Sequence, residues 1–225
     1  EMAGLSAADI AEFSSTQLGA LATTQLGALT TTSLGAIDET QIGGLTSTQF
    51  GALSATNLRA LSETALGVLS TTQVGGLSAT QVGAFTATGF SAIDTTALGA
   101  LSATQLKGLT STELAGLSET ALGAFTATQI ASLSSTQIGA LTSTNLNTLD
   151  TTQLAGLTKT QIGSLTSTNL SAFDATQIGN LSTTQITGLT AAQIKALSTT
   201  DFAEITTTQI GSLASTQLGA LSTTN

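Results

Sequence analysis

The sequence predicts an all-α solenoid of about 28 eight-residue repeats, each a short capped helix followed by a turn. Three observations predict this fold. Hydrophobic residues recur at two fixed positions of an octad, a helix-capping pattern recurs in the same register, and neither one continuous helix nor one continuous strand fits the spacing.

The octad has the consensus L-S-T-T-Q-I-G-A, begins at Leu5 and repeats every eight residues to Leu221 without insertion or deletion. Position one is Leu, Ile or Phe in all 28 occurrences, and position six is Leu, Ile, Val, Phe or Met in all 28. All seven Phe lie at these two positions. Positions one and six therefore form the predicted core.

Positions two and five predict where each helix begins. Position two is Ser, Thr or Asp in 26 of 28 repeats, and these side chains accept hydrogen bonds from the first amides of a helix. Gln at position five completes a capping box, and positions one and six then form a hydrophobic staple. We predict a helix from position three to position eight, with Gly at position seven where the chain leaves the helix and turns.

Continuous elements do not fit the octad. Eight residues of helix advance the apolar pair by about 80° per repeat, and positions one and six of a strand point to opposite faces. Helices this short are marginal in water, so each repeat must pack against its neighbours. A β-solenoid or amyloid-like stack is the alternative, because Thr, Ile and Val favour strands and Gln and Asn can form side-chain ladders.

Position four is Thr in every repeat except those with Ala8 and Ala192. Ala would suit an ordinary helix better, so Thr here needs another reason. Our hypothesis is a hydroxyl contact between adjacent repeats.

Residues 1–225 are interpreted as one uninterrupted octapeptide-repeat array with no internal domain boundary, and as a fragment of a longer array. A weaker period of seven repeats relates the pairs that begin at Ile37, Ile93 and Leu149. We favour duplication in blocks over a superhelical period as its origin.

Composition limits the partners. Charged residues make up 8% of the chain, the formal net charge is −9, and the four basic residues are Arg59, Lys107, Lys159 and Lys195. Such scattered basic residues cannot neutralise a run of phosphates, so nucleic acid is not an expected partner. No apolar stretch approaches the roughly 18 residues of a membrane-spanning helix, so no membrane insertion is expected.

The chain carries no residues that we assign to catalysis, to a cofactor or to a metal. It contains no His and no Cys, which excludes imidazole-based nucleophile pairs and thiolate ligands. Asp38 with Glu39 is interpreted as a capped helix start rather than a metal site, because the acids lack the spacing of a calcium loop. We therefore predict a protein that is not an enzyme and has no cofactor.

Regular hydroxyls at positions two and four, as in Thr30 with Thr32 or Thr46 with Thr48, are similar to those of ice-binding solenoids. In a helical repeat the same residues are a cap and its neighbour. Contact with ice, glycan or another cell surface is therefore kept as the alternative function.

The motif L-S-x-T-Q-I-x-A in tandem resembles the octapeptide arrays of very large secreted or surface-attached bacterial proteins, which are often adhesin-like or filament-forming. The resemblance covers the whole chain. It implies an extracellular or cell-surface stalk, surface-layer or filament component whose main partner is another copy of itself.

Overall fold

The computed structural model describes residues 2–221, and this part of the chain is helical, with no strand. The predicted all-α solenoid is confirmed, and the β alternative is wrong for these residues. The described residues form two compact bodies, which we call the N-terminal body (through Ala124) and the C-terminal body (from Phe125). The octad passes this division without insertion.

The N-terminal body begins with a short 3-10 helix, Met2–Gly4, and continues with fifteen short α-helices. They are α1 Ala7–Ala11, α2 Ser15–Gly19, α3 Thr23–Gly27, α4 Thr31–Leu34, α5 Glu39–Gly43, α6 Ser47–Ala52, α7 Ala55–Arg59, α8 Glu63–Gly67, α9 Thr71–Gly75, α10 Ala79–Val82, α11 Ala87–Ala92, α12 Thr95–Gly99, α13 Ala103–Leu106, α14 Ser111–Ala115 and α15 Glu119–Gly123.

The C-terminal body has the same construction within its described residues. Its helices are α16 Ala127–Ser132, α17 Ser135–Gly139, α18 Ser143–Asn147, α19 Thr151–Gly156, α20 Lys159–Ser164, α21 Ser167–Leu170, α22 Ala175–Gly179, α23 Thr183–Ile186, α24 Ala191–Ala196, α25 Thr199–Glu204, α26 Thr207–Gly211 and α27 Ser215–Leu218. Every described α-helix begins at position three, as predicted, and ends at position six, seven or eight.

The helix starts have the predicted caps. In every described α-helix except α3 and α27, the side chain at position two accepts a hydrogen bond from an amide of the first turn. The exceptions carry Ala22 and Ala214 at this position and so have no side-chain oxygen to offer. Capping of this kind stabilises a helix start by about 1 kcal/mol, which matters for helices of one turn.

The core is the stack of position-one and position-six side chains. At position six, residues such as Leu106 and Ile178 are fully buried, and at position one Leu141 and Leu181 are nearly so. The exposed fraction is larger at the first repeats, where Leu5, Phe13 and Leu21 are half-buried. Each helix buries its apolar residues against other repeats, as the amphipathic spacing requires.

One turn of the solenoid takes about three and a half octads. Within each body, helices contact the helix three places further along, for example α5 with α8 and α16 with α19. Hydrogen bonds between turns join residues 28 or 31 apart, as from Gln105 to Leu77 and to Val74. The period of seven repeats in the sequence therefore equals two turns.

The glycines contribute to the turns without a left-handed backbone. No described residue, glycine included, has a positive φ, and the residues that end the helices are mostly right-handed or extended. Several glycines permit close approach of the turns: a Cβ on Gly76 would lie 2.5 Å from the carbonyl oxygen of Ser47.

Candidate functional site

The most regular chemical feature of the molecule is a ladder of buried glutamine side chains at position five. In each rung the amide oxygen accepts a hydrogen bond from the backbone N–H of the cap residue, and the amide nitrogen donates to carbonyls of the preceding turn. Gln105 is typical: Oε1 lies 2.8 Å from Ser102 N, and Nε2 lies 2.8 Å from Val74 O and 2.9 Å from Leu77 O. One side chain thus caps its own helix and joins two turns.

We call a position-five Gln a glutamine rung when its Nε2 donates to the backbone carbonyl of the residue 28 or 31 positions earlier, as Gln105 does. The N-terminal body has rungs at Gln41, Gln49, Gln73, Gln81 and Gln105. The C-terminal body has rungs at Gln153, Gln161, Gln177, Gln185, Gln193, Gln209 and Gln217. These amides are almost completely buried, so the position-one carbonyls that they satisfy, such as that of Leu77, would otherwise lie without donors in the interior.

The ladder is interrupted at several repeats of the N-terminal body. Four of them carry Ala65, Gly89, Ala97 or Ala121 at position five and so have no side-chain amide there. A cavity of about 300 Å³ lies beside Gly89 and is lined by Leu58, Leu61 and Phe85, among others.

Glu113 is the one described position-five glutamate, and its environment differs from that of a glutamine. Its Oε2 accepts from Thr110 N at 2.6 Å, which reproduces the capping half of a rung. Its Oε1 is buried and has no hydrogen-bond partner, since a carboxylate has no N–H to donate to the preceding turn. The side chain is only 3% exposed.

The exposed acids of the N-terminal body lie on five helices that follow one another up the stack. They are Asp9, Glu12, Asp38, Glu39, Glu63, Asp94 and Glu119, on or beside α1, α5, α8, α12 and α15. Contacts between these helices follow the same order. Gln41 of α5 donates a hydrogen bond to the carbonyl of Ile10 in α1, and α5 contacts α8. Residues of α8 and α12 line one cavity, and α12 contacts α15. We call these seven residues the acidic column.

The caps account for part of this charge. Asp38 Oδ1 accepts from Gln41 N at 2.8 Å, so Asp38 is the helix cap that the sequence predicted. Hydrogen bonds from the backbone of Ser6 and then from its side chain hold the pKa of Asp9 below its ordinary value. The Thr96 backbone amide does the same for the pKa of Asp94. Backbone amides at the start of a helix therefore stabilise the charged forms of Asp9 and Asp94.

The threonines of position four lie on the surface. From Thr16 to Thr216, every described threonine at this position is exposed, and none has a hydrogen bond to another turn among residues 2–221. The hypothesis of a hydroxyl contact between adjacent repeats is therefore wrong. Because one threonine occurs in each repeat and a turn takes about three and a half repeats, these hydroxyls are distributed around each body instead of forming one flat row.

In residues 2–221, no group of three or more His, Cys, Asp or Glu side chains is arranged to hold a metal ion. None of the helices described there has the length and apolar character needed to cross a bilayer.

Comparison with known proteins adds no assignment: no family model matches the chain, and no curated protein is detectably similar to it. Its function must therefore be argued from its own residues.

Sequence reasoning found the capping role of position five and missed its role between turns. The signal was in the choice of residue. A capping box accepts Glu as readily as Gln, yet position five is Gln in 16 repeats and Glu in two, at Glu1 and Glu113. A preference for the amide over the carboxylate indicates that the N–H donors are needed.

Proposed function

We propose that this chain is a structural repeat protein, a component of an extracellular or cell-surface stalk, surface layer or filament, with no catalytic activity. The observation that supports the proposal is the ladder of glutamine rungs, which puts the most regular polar chemistry of the molecule inside the solenoid. Polar groups that serve a soluble ligand lie at an accessible cleft, whereas these amides are buried against backbone carbonyls.

The rungs suit a protein that bears load along its axis. Each rung joins residues 28 or 31 apart, so stretching the chain by one turn must break the amide bonds of that turn along with its apolar contacts. Because each repeat contacts near neighbours, the stability of such an array increases in steps with its length, and no single long-range contact is essential.

Force spectroscopy on the whole chain, tethered through added terminal tags, tests the mechanical role. We expect extension in small steps that each release about one turn, or about 100 Å of chain at about 3.5 Å per residue. Release of either body in one step, at forces too low to resolve, would count against a load-bearing role.

We further propose that the main partner is another copy of the chain. The surface repeats with every octad and carries few charges, so one copy offers the next many equivalent contacts. Sedimentation velocity and electron microscopy over a concentration series test this. Assemblies that grow with concentration support it, and a monomer at every concentration would leave a spacer role and remove self-association.

The acidic column favours a second candidate, a binding surface for a basic partner such as a lysine-rich protein or a cationic glycan. Seven exposed carboxylates on successive turns produce a negative potential that falls with added salt. Binding of polylysine that is lost when Glu39, Glu63 and Glu119 are changed to Gln would support this candidate. The threonines distributed around each body give ice binding less support, because an ice surface requires a flat face.

A further inference from the structure

We propose that Glu113 marks a cation site inside the solenoid, where a hard, oxygen-seeking cation of the calcium class replaces the N–H donors of a glutamine rung. The inference starts from one buried atom. Glu113 Oε1 has no hydrogen-bond partner, and the side chain is 3% exposed. A buried carboxylate oxygen without a donor or counter-charge is costly, so the folded chain favours a positive group at this place.

The register of the ladder identifies the oxygens that face Glu113. Gln105 donates to the carbonyls of Leu77 and Val74, and the same two spacings counted back from Glu113 reach Phe85 and Val82. Glu113 Oε2 already occupies the capping place by accepting from Thr110 N, so Oε1 takes the place of the amide nitrogen. The Phe85 carbonyl receives no hydrogen bond among the described residues, while that of Val82 accepts from Phe85 N at 3.4 Å.

By this register, Glu113 Oε1 and the carbonyl oxygens of Phe85 and Val82 would occupy the places that one nitrogen and two oxygens hold in a normal rung. In the rung of Gln105, the nitrogen lies 2.8 and 2.9 Å from the two carbonyl oxygens. Neighbouring oxygens that bind one calcium ion also lie about 2.9 Å apart, at metal–oxygen distances of about 2.3–2.6 Å. A cation bound to all three oxygens would turn a repulsive contact into a bridge between the turns.

The groove beside Glu113 has room for the ion and its remaining water ligands. It measures about 380 Å³ and is lined by Gly83, Phe85, Thr86, Thr110 and Thr112, among others. Thr86 and Thr110 add hydroxyl oxygens to this lining. Calcium retains waters readily in an irregular shell, whereas magnesium demands a near-ideal octahedron.

Arg59 opposes this site and provides a test of it. It lines the same groove, and its Nε donates to the carbonyl of Ala84, next to Phe85. Its positive charge repels a bound cation. If the charge of Arg59 instead compensated Glu113, removing it would destabilise the fold without strengthening any cation binding.

Isothermal titration calorimetry of the whole chain, after treatment with a chelator, tests the proposal with calcium, magnesium and sodium chloride at constant ionic strength. We expect one calcium ion per chain with a dissociation constant of about 1 mM or lower, in the range of weak calcium modules. Glu113→Gln, which restores an ordinary rung, should lose this binding by tenfold or more. Arg59→Gln should tighten it by about threefold, the size expected for one partly exposed charge.

Glu119→Gln is the matched control, because Glu119 is exposed on the next repeat and belongs to the acidic column. It should bind calcium like the unaltered chain. Thermal unfolding provides a second readout: calcium should raise the melting temperature of the unaltered chain and leave that of Glu113→Gln unchanged. Calcium binding that survives in Glu113→Gln would assign the ion to the exposed acids and overturn the proposal. The same holds if magnesium binds as tightly as calcium to the unaltered chain and to Glu113→Gln. The absence of any calcium binding to the unaltered chain would also overturn the proposal.

Discussion

Gln105 and Gln17 form the same capping box, and only Gln105 adds hydrogen bonds to another turn. Ser14 N lies 2.8 Å from Gln17 Oε1, and Ser102 N lies 2.8 Å from Gln105 Oε1. The Nε2 of Gln17 has no hydrogen bond among the described residues, whereas that of Gln105 has two. Comparing Gln17→Ala with Gln105→Ala therefore isolates the bonds between turns, because each variant loses its capping box.

The magnitude follows from those bonds. Gln105→Ala removes two hydrogen bonds of about 1 kcal/mol each and leaves the Leu77 carbonyl buried without a donor, which costs about 1 kcal/mol more. The carbonyl of Val74 keeps its bond from Leu77 N at 3.1 Å. By the same reckoning, we expect Gln105→Ala to lower the free energy of unfolding by about 2–3 kcal/mol more than Gln17→Ala does.

Urea denaturation followed by circular dichroism measures both variants, which lie in the same compact body. Gln105→Glu is the isosteric comparison: it keeps the capping acceptor and replaces the donor with an oxygen, so it should be at least as destabilising as Gln105→Ala in calcium-free buffer. Equal losses for Gln17→Ala and Gln105→Ala, within about 0.5 kcal/mol, would refute the claim that the amides hold the turns together.

Three further predictions follow from the same contacts. Ala97→Gln restores a missing rung and should raise the free energy of unfolding by about 1–2 kcal/mol in urea titrations, whereas Ala97→Met, of similar size but without an amide, should not. Gly75→Ala should leave the free energy of unfolding unchanged or raise it by up to about 1 kcal/mol, because nothing lies within 4 Å of the added Cβ. Gly76→Ala should lower it by about 2 kcal/mol or more, because the added Cβ meets the preceding turn. Equal melting temperatures for the two variants would contradict this. The amide of Thr96 lowers the pKa of Asp94. The stability that Asp94 contributes is therefore present above the pKa of the unfolded carboxyl and is lost as the pH falls through the folded-state pKa. An Asp94 carboxyl that titrates in NMR at or above its ordinary pKa, or an Asp94→Asn variant with the same acid sensitivity as the unaltered chain, would disprove this prediction.

The helix boundaries could be predicted because the forces that set them are local. A cap at position two and its partner at position five are close in sequence, and the staple joins positions one and six, so one octad contains the whole signal. The structure begins every described α-helix at position three, and Ala22 and Ala214, which lack a capping oxygen, are the described caps without a side-chain bond.

The length of a turn could not be predicted, because it depends on contacts between residues of different turns that no local pattern contains. The seven-repeat period in the sequence corresponds to two turns, although the sequence alone favours duplication in blocks as its origin. Duplication and a superhelical period are compatible explanations. With about three and a half repeats per turn, seven repeats are the smallest whole number that returns a residue to the same side of the solenoid. A duplicated block of seven therefore keeps each side chain on its original face.

The contacts of individual glycines could not be predicted for a related reason. Local sequence predicts that the chain turns near these residues, but which glycine lets two turns approach, as Gly76 does, depends on the contacts between turns. The special position of Glu113 was equally hidden, since a glutamate satisfies the capping box as well as a glutamine does. The unfavourable burial of its unpartnered Oε1 arises only in the folded solenoid, where the preceding turn packs against it.

Within each body the solenoid arrangement places successive turns one above another, with about three and a half repeats in each turn. Spin labels on cysteines test it directly in this chain, which has no native Cys, with one label replacing the exposed Thr48 and a second replacing either Thr64 or Thr72. Thr64 comes two repeats after Thr48 and so lies across the solenoid from it, whereas Thr72 comes three repeats after Thr48 and returns to nearly the same side. Pulsed electron paramagnetic resonance should therefore give a shorter distance for Thr48 with Thr72 than for Thr48 with Thr64. A distance that grows with separation along the chain would contradict the solenoid.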